Sequence, residues 1–160
     1  MRWYPKKDGW SVEELCHSAN DHMVAAMHLF DTKNPQVQDS AGFLAHLAIE
    51  LLLKAGLLHQ KGKFPNEHDL ARLRGHLAKV NCPIDLSAEH NAAFDRISSF
   101  HKLRYHDPAG LPTIGHPDRE VTHKLYLFLV AKLPVPLSQA IADIDHTRKS
   151  GRRLYRKPES

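Results

Sequence analysis

The feature that most constrains the fold is a long apolar segment in the first half of the chain. Between about residues 39 and 60, apolar side chains recur at helical spacing and cover a wide face. They are Phe43, Leu44, Leu47, Ala48, Leu51, Leu52, Ala55 and Leu58. The segment carries Glu50 and Lys54, and its most apolar part is too short to span a bilayer. The pattern predicts a long helix of a soluble protein with a broad buried face.

Helical signals recur along the chain, whereas strand signals are weak. Ser11, followed three residues later by Glu14, forms a capping box that predicts the start of the first helix. A third, shorter helix is expected after the turn at 62–65. Ser87 is expected to cap a fourth helix that continues through Leu103.

His116 or Thr113 is predicted to cap a fifth helix, which has a proline in its first turn. A weaker sixth helix is indicated by Leu137, Ile141 and Ile144. Because the connections are short, we predict an all-α, up-and-down bundle of about five helices with a C-terminal helical extension and a basic tail. The expected boundaries are an N-terminal arm at 1–10, the bundle at 11–133 and the extension with its tail at 134–160.

The composition indicates a single soluble domain. A chain of 160 residues, 42% of them hydrophobic, fits one packed core. Its two cysteines, Cys16 and Cys82, form no CxxC motif and are expected to be packing residues in a reducing compartment. The first residues lack the apolar run of a signal peptide. We therefore expect a cytoplasmic protein without membrane association.

The net charge of +4 is unevenly distributed. Residues 148–160 hold six basic residues and one acidic residue, whereas residues 1–147 hold sixteen basic and seventeen acidic residues. A body that binds nucleic acid normally presents a basic face, and here such a face requires local clustering. Nonspecific affinity for RNA is therefore expected in the tail.

No metal or cofactor site is predicted. The chain has 13 histidines, but none are spaced as HxxxH, and the carboxylate–histidine pairs three residues apart are common by chance. The sequence contains no P-loop, no dinucleotide-binding glycine motif and no GxSxG. These classes of enzyme therefore have no support.

Arg96 and His101 have the spacing RxxxxH. Histidine could act as the general base on a ribose 2′-hydroxyl, and arginine could hold the phosphate. Residues five positions apart on an α-helix lie about 140° apart around its axis. Arg96 and His101 can therefore converge only through long side chains, a local break in the helix or a second chain. The alternative is structural, because His101 falls in the stripe of Phe94 and Ile97 and would then be partly buried.

The order of several short motifs resembles the HEPN domain (higher eukaryotes and prokaryotes nucleotide-binding). An alanine and a glutamate in an apolar helix precede Leu-Lys-Ala, a glycine turn and His-Asp-Leu, and an Arg-Tyr motif with a nearby proline follows. The residues are Ala48, Glu50, Leu53, Lys54, Ala55, Gly62, His68, Asp69, Leu70, Arg104, Tyr105 and Pro108. The resemblance covers about residues 11–133.

The resemblance implies a helical bundle that is usually a homodimer and has no cofactor. It further implies binding of a nucleotide or RNA, in a defence or toxin–antitoxin setting or beside a nucleotidyltransferase partner. Some members are metal-independent endoribonucleases that use RxxxxH motifs, here Arg96 and His101. A third alternative is a non-catalytic protein-interaction module.

The resemblance also implies a ligand-facing site. Arg104, Tyr105 and His106 would form a phosphate- or nucleotide-binding surface, with Glu50 and Lys54 orienting it. The simpler expectation for Glu50 and Lys54 is a solvated salt bridge between residues four apart. Arg104 could equally stabilise a helix end through the dipole, with Tyr105 in the core.

Overall fold

The computed structural model describes residues 1–104 and 110–134, which form five α-helices and one small sheet. The helices are α1 (Val12–Asp31), α2 (Pro35–Lys61), α3 (Leu70–Ala78), α4 (Ala88–Ser98) and α5 (Asp118–Lys132). Strands β1 (Trp3–Pro5) and β2 (Lys63–Pro65) pair antiparallel, and 3-10 segments occupy Lys6–Asp8 and Ser99–Arg104. The predicted all-α bundle is confirmed, with a two-stranded sheet added to it.

The first two helices begin at side-chain caps. The hydroxyl of Ser11 accepts a hydrogen bond from the Glu14 backbone N–H at 3.2 Å, as the capping box predicts. α2 begins earlier than predicted, because the Asn34 side chain accepts from the Gln36 N–H at 3.0 Å and Pro35 occupies the first turn. The apolar stripe that predicted this helix from about residue 39 therefore identified only its buried part.

α2 is the central element of the bundle. It packs against α1, α3, α4 and α5, and from Ala48 to Leu58 every side chain except Leu51 is buried. The broad apolar surface of α2 is therefore covered within one chain. At 27 residues the helix is long and apolar enough to cross a membrane, so the length argument against a membrane span was wrong. Burial inside the bundle accounts for its apolar character instead.

The fourth helix ends sooner than predicted. α4 is α-helical only to Ser98, and the chain then continues as the 3-10 segment Ser99–Arg104. The tighter winding of a 3-10 helix advances each residue further around the axis, so the buried stripe shifts. Phe100 is fully buried and His101 is exposed. The expectation that His101 is partly buried in the stripe of Ile97 is therefore wrong.

The start of the fifth helix also differs from the prediction. Neither His116 nor Thr113 caps α5; Pro117 is the cap residue, and it makes no side-chain cap bond. The Asp118 carboxylate instead accepts a hydrogen bond from the backbone N–H of Gly115 at 3.0 Å. An acidic side chain in the first turn also suits the positive end of the helix dipole.

The small sheet joins the N-terminal arm to the end of α2. Tyr4 pairs with Phe64, and their rings lie 5.4 Å apart between centroids. Trp10 packs against Phe64 at 5.1 Å. These aromatic contacts fix residues of the predicted arm at 1–10 on the bundle, and weak strand signals had not predicted the pairing.

Both cysteines are free and buried, as expected of packing residues. Burial raises the pKa of the Cys16 thiol to about 12, which keeps it protonated and unreactive. The predicted sixth helix, the basic tail, Tyr105 and His106 lie outside the described residues.

Candidate functional site

A buried ion pair on α2 is the centre of the site. His46, Glu50 and Lys54 follow one another at four-residue spacing, so they share one face of the helix. Lys54 Nζ donates to Glu50 Oε1 at 2.6 Å, and the two side chains are only 7% and 5% exposed. The expectation of a solvated salt bridge is therefore wrong. The cause is tertiary: His68 and the 3-10 segment Ser99–Arg104 pack over this face of α2.

His68 connects the buried pair to the surface. Its Nδ1 lies 3.0 Å from Glu50 Oε1, while its side chain is 45% exposed. The Glu67 carboxylate accepts from the backbone N–H of His68 at 2.9 Å, which fixes the chain at this position. Asp69 then caps α3 by accepting hydrogen bonds from the Ala71 and Arg72 N–H groups.

Arg104 approaches the same histidine from the 3-10 segment. Its Nη1 lies 3.2 Å from His68 Nδ1, which is also the atom facing Glu50. Nδ1 either carries a proton and donates to the carboxylate, or lacks one and accepts from arginine. The two contacts are therefore alternatives, and the presence or absence of a proton on Nδ1 decides between them. We call Glu50, Lys54, His46, His68 and Arg104 the Glu50 cluster.

His46 occupies the interior of the Glu50 cluster. It is 2% exposed, its Nδ1 lies 3.9 Å from Glu50 Oε2, and its Nε2 has no hydrogen-bond partner among the described residues. Burial lowers the pKa of His46 to about 4, with Glu50 opposing the effect and His101, His68 and Arg104 adding to it. The ring is therefore neutral at pH 7.

His101 borders the cluster from the exposed side. Its ring centroid lies 6.0 Å from that of His46, and its Nδ1 lies 2.7 Å from the carbonyl oxygen of Ser98. A carbonyl only accepts, so Nδ1 carries the proton and donates. In the neutral ring, Nε2 is then a hydrogen-bond acceptor.

Arg96 has a different set of partners from His101. Its guanidinium donates to both carboxylate oxygens of Asp118 at 3.0 Å and to the carbonyl of Thr113, and it lies over the Phe100 ring. A bidentate pair of this kind is among the stronger ionic contacts and here joins α4 to the start of α5. Asp118 and Thr113 therefore engage the arginine of the RxxxxH motif.

A family model for the HEPN domain matches residues 12–124. The chain belongs to the HEPN domain family. The match spans more than half of the 160 residues and includes every residue of the Glu50 cluster. The recognition made from the sequence motifs over 11–133 is thereby confirmed. No curated protein and no solved structure matches the chain.

The structure of this HEPN domain brings three of the predicted binding residues together. Glu50, Lys54 and Arg104 meet around His68, whereas Tyr105 and His106 lie outside the described residues. His68 was not among the residues predicted to form the ligand-binding surface. Its place in the His-Asp-Leu motif, beside Glu50 and Lys54 in the same recognition, was the available signal.

The net charge of the Glu50 cluster favours an anionic ligand. With its histidines neutral, the Glu50 cluster has one negative group, Glu50, and two positive groups, Lys54 and Arg104. Arg104 and His68 lie at the surface, whereas Lys54 lies beneath them. Within residues 1–104 and 110–134, no three His, Cys, Asp or Glu side chains are grouped to hold a metal ion.

Proposed function

We propose that this HEPN domain binds the phosphate of a nucleotide or of RNA at the Glu50 cluster. The observation that carries the proposal is the buried Glu50–Lys54 pair connected through His68 to the exposed Arg104. The cluster combines a net positive charge with a route from the interior to the solvent.

The chemistry of the exposed members suits a phosphate. The planar guanidinium of Arg104 can donate two parallel hydrogen bonds to phosphate oxygens. When His68 is protonated, its ring can donate as well, and Glu50 is positioned to stabilise that charge at 3.0 Å.

The burial of the pair supports a functional role. An ion pair removed from water is often no more stabilising than apolar side chains of similar size, because desolvation offsets the attraction. Glu50 and Lys54 are both buried in the otherwise apolar centre of α2. We infer that they are kept to orient His68 through the Glu50 carboxylate.

The position of Arg96 favours binding over cleavage by the RxxxxH motif. Phosphate binding by Arg96 would require it to leave Asp118 and Thr113. We therefore propose a binding protein rather than an endoribonuclease that uses Arg96 and His101. We place it in the cytoplasm, as an effector or partner protein in a defence or toxin–antitoxin system, with a nucleotidyltransferase as the candidate partner.

Substitution of arginines tests the binding site. Arg104→Ala is expected to weaken binding of ATP by about tenfold or more, the usual cost of a lost charge-assisted hydrogen bond. Arg96→Ala should lower the melting temperature by leaving Asp118 without its partner, with affinity retained. Titration calorimetry and thermal denaturation separate the two effects.

Arg119→Ala is the matched control for the binding experiment, because it removes the same charge from the α1–α5 contact, where Arg119 pairs with Asp31. Equal losses in Arg104→Ala and Arg119→Ala would contradict a specific site. Cleavage of RNA by the wild type in EDTA, lost in His101→Ala, would show that the protein is an endoribonuclease instead.

We also propose a homodimer. α2 is covered within one chain, but α5 exposes Val121 and Leu127, and α1 exposes Val24. Light scattering at micromolar concentration should give about twice the monomer mass, since exposed apolar groups favour association. A monomer mass that persists across a dilution series would contradict the dimer.

A further inference from the structure

The N-terminal strand presents a tryptophan among lysines on the outer face of the small sheet. In the sheet, Trp3 pairs with Pro65 and Pro5 pairs with Lys63. Paired residues and residues two apart on a strand project to the same side, so Trp3 and Lys63 do so as well. Lys61 Nζ lies 4.4 Å and Lys63 Nζ 5.4 Å from the centroid of the Trp3 ring. The His76 ring meets Trp3 edge-on at 5.3 Å.

A third lysine is held beside this group. The backbone N–H of Lys6 donates to the carbonyl of Gly62 at 2.8 Å, which places Lys6 next to the turn that carries Lys61 and Lys63. We call Trp3, Lys6, Lys61, Lys63 and His76 the Trp3 surface.

The charge of the Trp3 surface is not neutralised locally. Across the described parts of the chain, no carboxylate lies within ion-pair distance of its lysines. The Glu13 carboxylate interacts with Lys6 only at longer range. Residues 1–147 are almost neutral as a whole, so this surface is the local clustering that a nucleic-acid-binding body requires.

The sheet explains why these residues face the solvent. Tyr4 and Phe64 project to the other side, where Phe64 is buried and Trp10 packs against it. Trp3 is consequently not needed for the core and stays partly exposed, while all three lysines are exposed. The aromatic ring attracts the ammonium groups and so holds like charges close together.

We propose that the Trp3 surface binds single-stranded RNA, with a base packed on Trp3 and the adjoining phosphates on the lysines. An aromatic platform flanked by cations is the combination that recognises single strands, because every base has a face to stack and every nucleotide a phosphate. The surface shares no residue with the Glu50 cluster, and on α2 Lys61 lies seven residues beyond Lys54, the nearest member of that cluster on the helix, about 10 Å along the axis. The proposal does not depend on phosphate binding at that cluster.

A lipid surface and an acidic protein are the rival partners for a basic surface. Binding in a lipid interface requires a broad apolar face, whereas here Phe64 is buried, and the exposed Met1 and Trp10 share the N-terminal arm with exposed lysines. An acidic protein would satisfy the lysines without requiring the exposed indole of Trp3. The tryptophan therefore favours RNA, and both rivals are outcomes of the experiment.

Charge reversal at the two ends of α2 tests the lysines. Lys61→Glu and Lys33→Glu change the net charge equally, but they lie at opposite ends of a helix about 40 Å long. In fluorescence anisotropy with a labelled twelve-nucleotide oligouridine, Lys61→Glu should weaken binding about five- to tenfold and reduce the salt slope by about 0.7 per lost phosphate contact. Lys33→Glu should do neither. Equal effects of the two substitutions would overturn the proposal.

Tryptophan fluorescence tests the stacked base. The chain has only two tryptophans, so the oligouridine should quench emission of the wild type and of Trp10→Phe but not of Trp3→Phe. Arg104→Ala should retain the quench, which separates this surface from the Glu50 cluster. Quenching that persists in Trp3→Phe would overturn the proposal. So would equally tight, Lys61-dependent binding of phosphatidylglycerol vesicles or of polyglutamate.

Discussion

Replacing Glu50 with glutamine is expected to lower the free energy of unfolding by about 3–5 kcal/mol, the usual cost of leaving one member of a buried ion pair unpaired. The amide keeps the size of the side chain but not its charge. The Lys54 ammonium, 2.6 Å away and buried, would then lack a counter-ion. Urea unfolding followed by circular dichroism should show a lower midpoint at an unchanged slope.

A second substitution separates the cost of an unpaired charge from the worth of the pair. Glu50→Gln combined with Lys54→Met removes both charges and should recover most of the lost stability, because apolar replacement of a buried pair is often neutral or stabilising. Glu120→Gln is the matched control. Glu120 and Lys124 are also four residues apart, but their side chains are 74% and 59% exposed, so little change is expected. A loss in Glu50→Gln no larger than in this control would contradict the prediction.

The same double variant separates stability from function. If the contact of the charged Glu50 carboxylate with His68 serves ligand binding, restoring stability with Lys54→Met will not restore binding of ATP. The Glu50 carboxylate lies 3.0 Å from His68 Nδ1. Glutamine can keep this contact but lacks the negative charge. A variant that is stable but fails to bind would therefore locate the role of the pair in ligand recognition.

The i, i+4 line of His46, Glu50 and Lys54 could be predicted from the sequence, but its burial could not. Helical spacing shows which residues share a face, whereas burial depends on what packs over that face. His68 lies 18 residues after Glu50 in the chain. Arg104 lies another 36 residues after His68. Motif resemblance, rather than periodicity, carried the information that these residues belong together.

The change of winding after Ser98 explains the principal error in placing side chains. The prediction continued the α-helical spacing to Leu103, which put His101 in the buried stripe. The 3-10 segment buries Phe100 and turns His101 outward, beside His46. No residue in SSFHKLR breaks a helix by propensity alone, so the transition reflects tertiary packing against α2.

The small sheet was missed for a related reason. Three-residue strands are too short to show an alternating pattern, and β1 is separated from β2 by two helices. The pairing of Trp3 with Pro65 brings the basic residues of the N-terminal arm next to those at the end of α2. A basic face on a nearly neutral body requires local clustering of basic residues, and here the chain topology produces that clustering.

Acid should destabilise the protein through His46. Burial lowers its pKa to about 4 in the folded state, whereas the unfolded chain titrates near the ordinary value of 6.5. Between these values the unfolded state binds a proton that the folded state does not, so stability rises with pH. This contribution is complete above pH 6.5 and is lost as the pH falls to about 4, on the order of 3 kcal/mol in all.

Urea unfolding at several pH values measures this dependence. His46→Leu removes the titrating ring and should flatten the curve between pH 6.5 and 4. His59→Gln, at an exposed position, should leave the curve unchanged. His22, whose pKa burial also lowers, contributes in the same direction and remains in both variants. An identical pH dependence in wild type and His46→Leu would show that His46 accepts a proton in the folded protein. The Glu50 cluster would then be more open to solvent than its packing indicates.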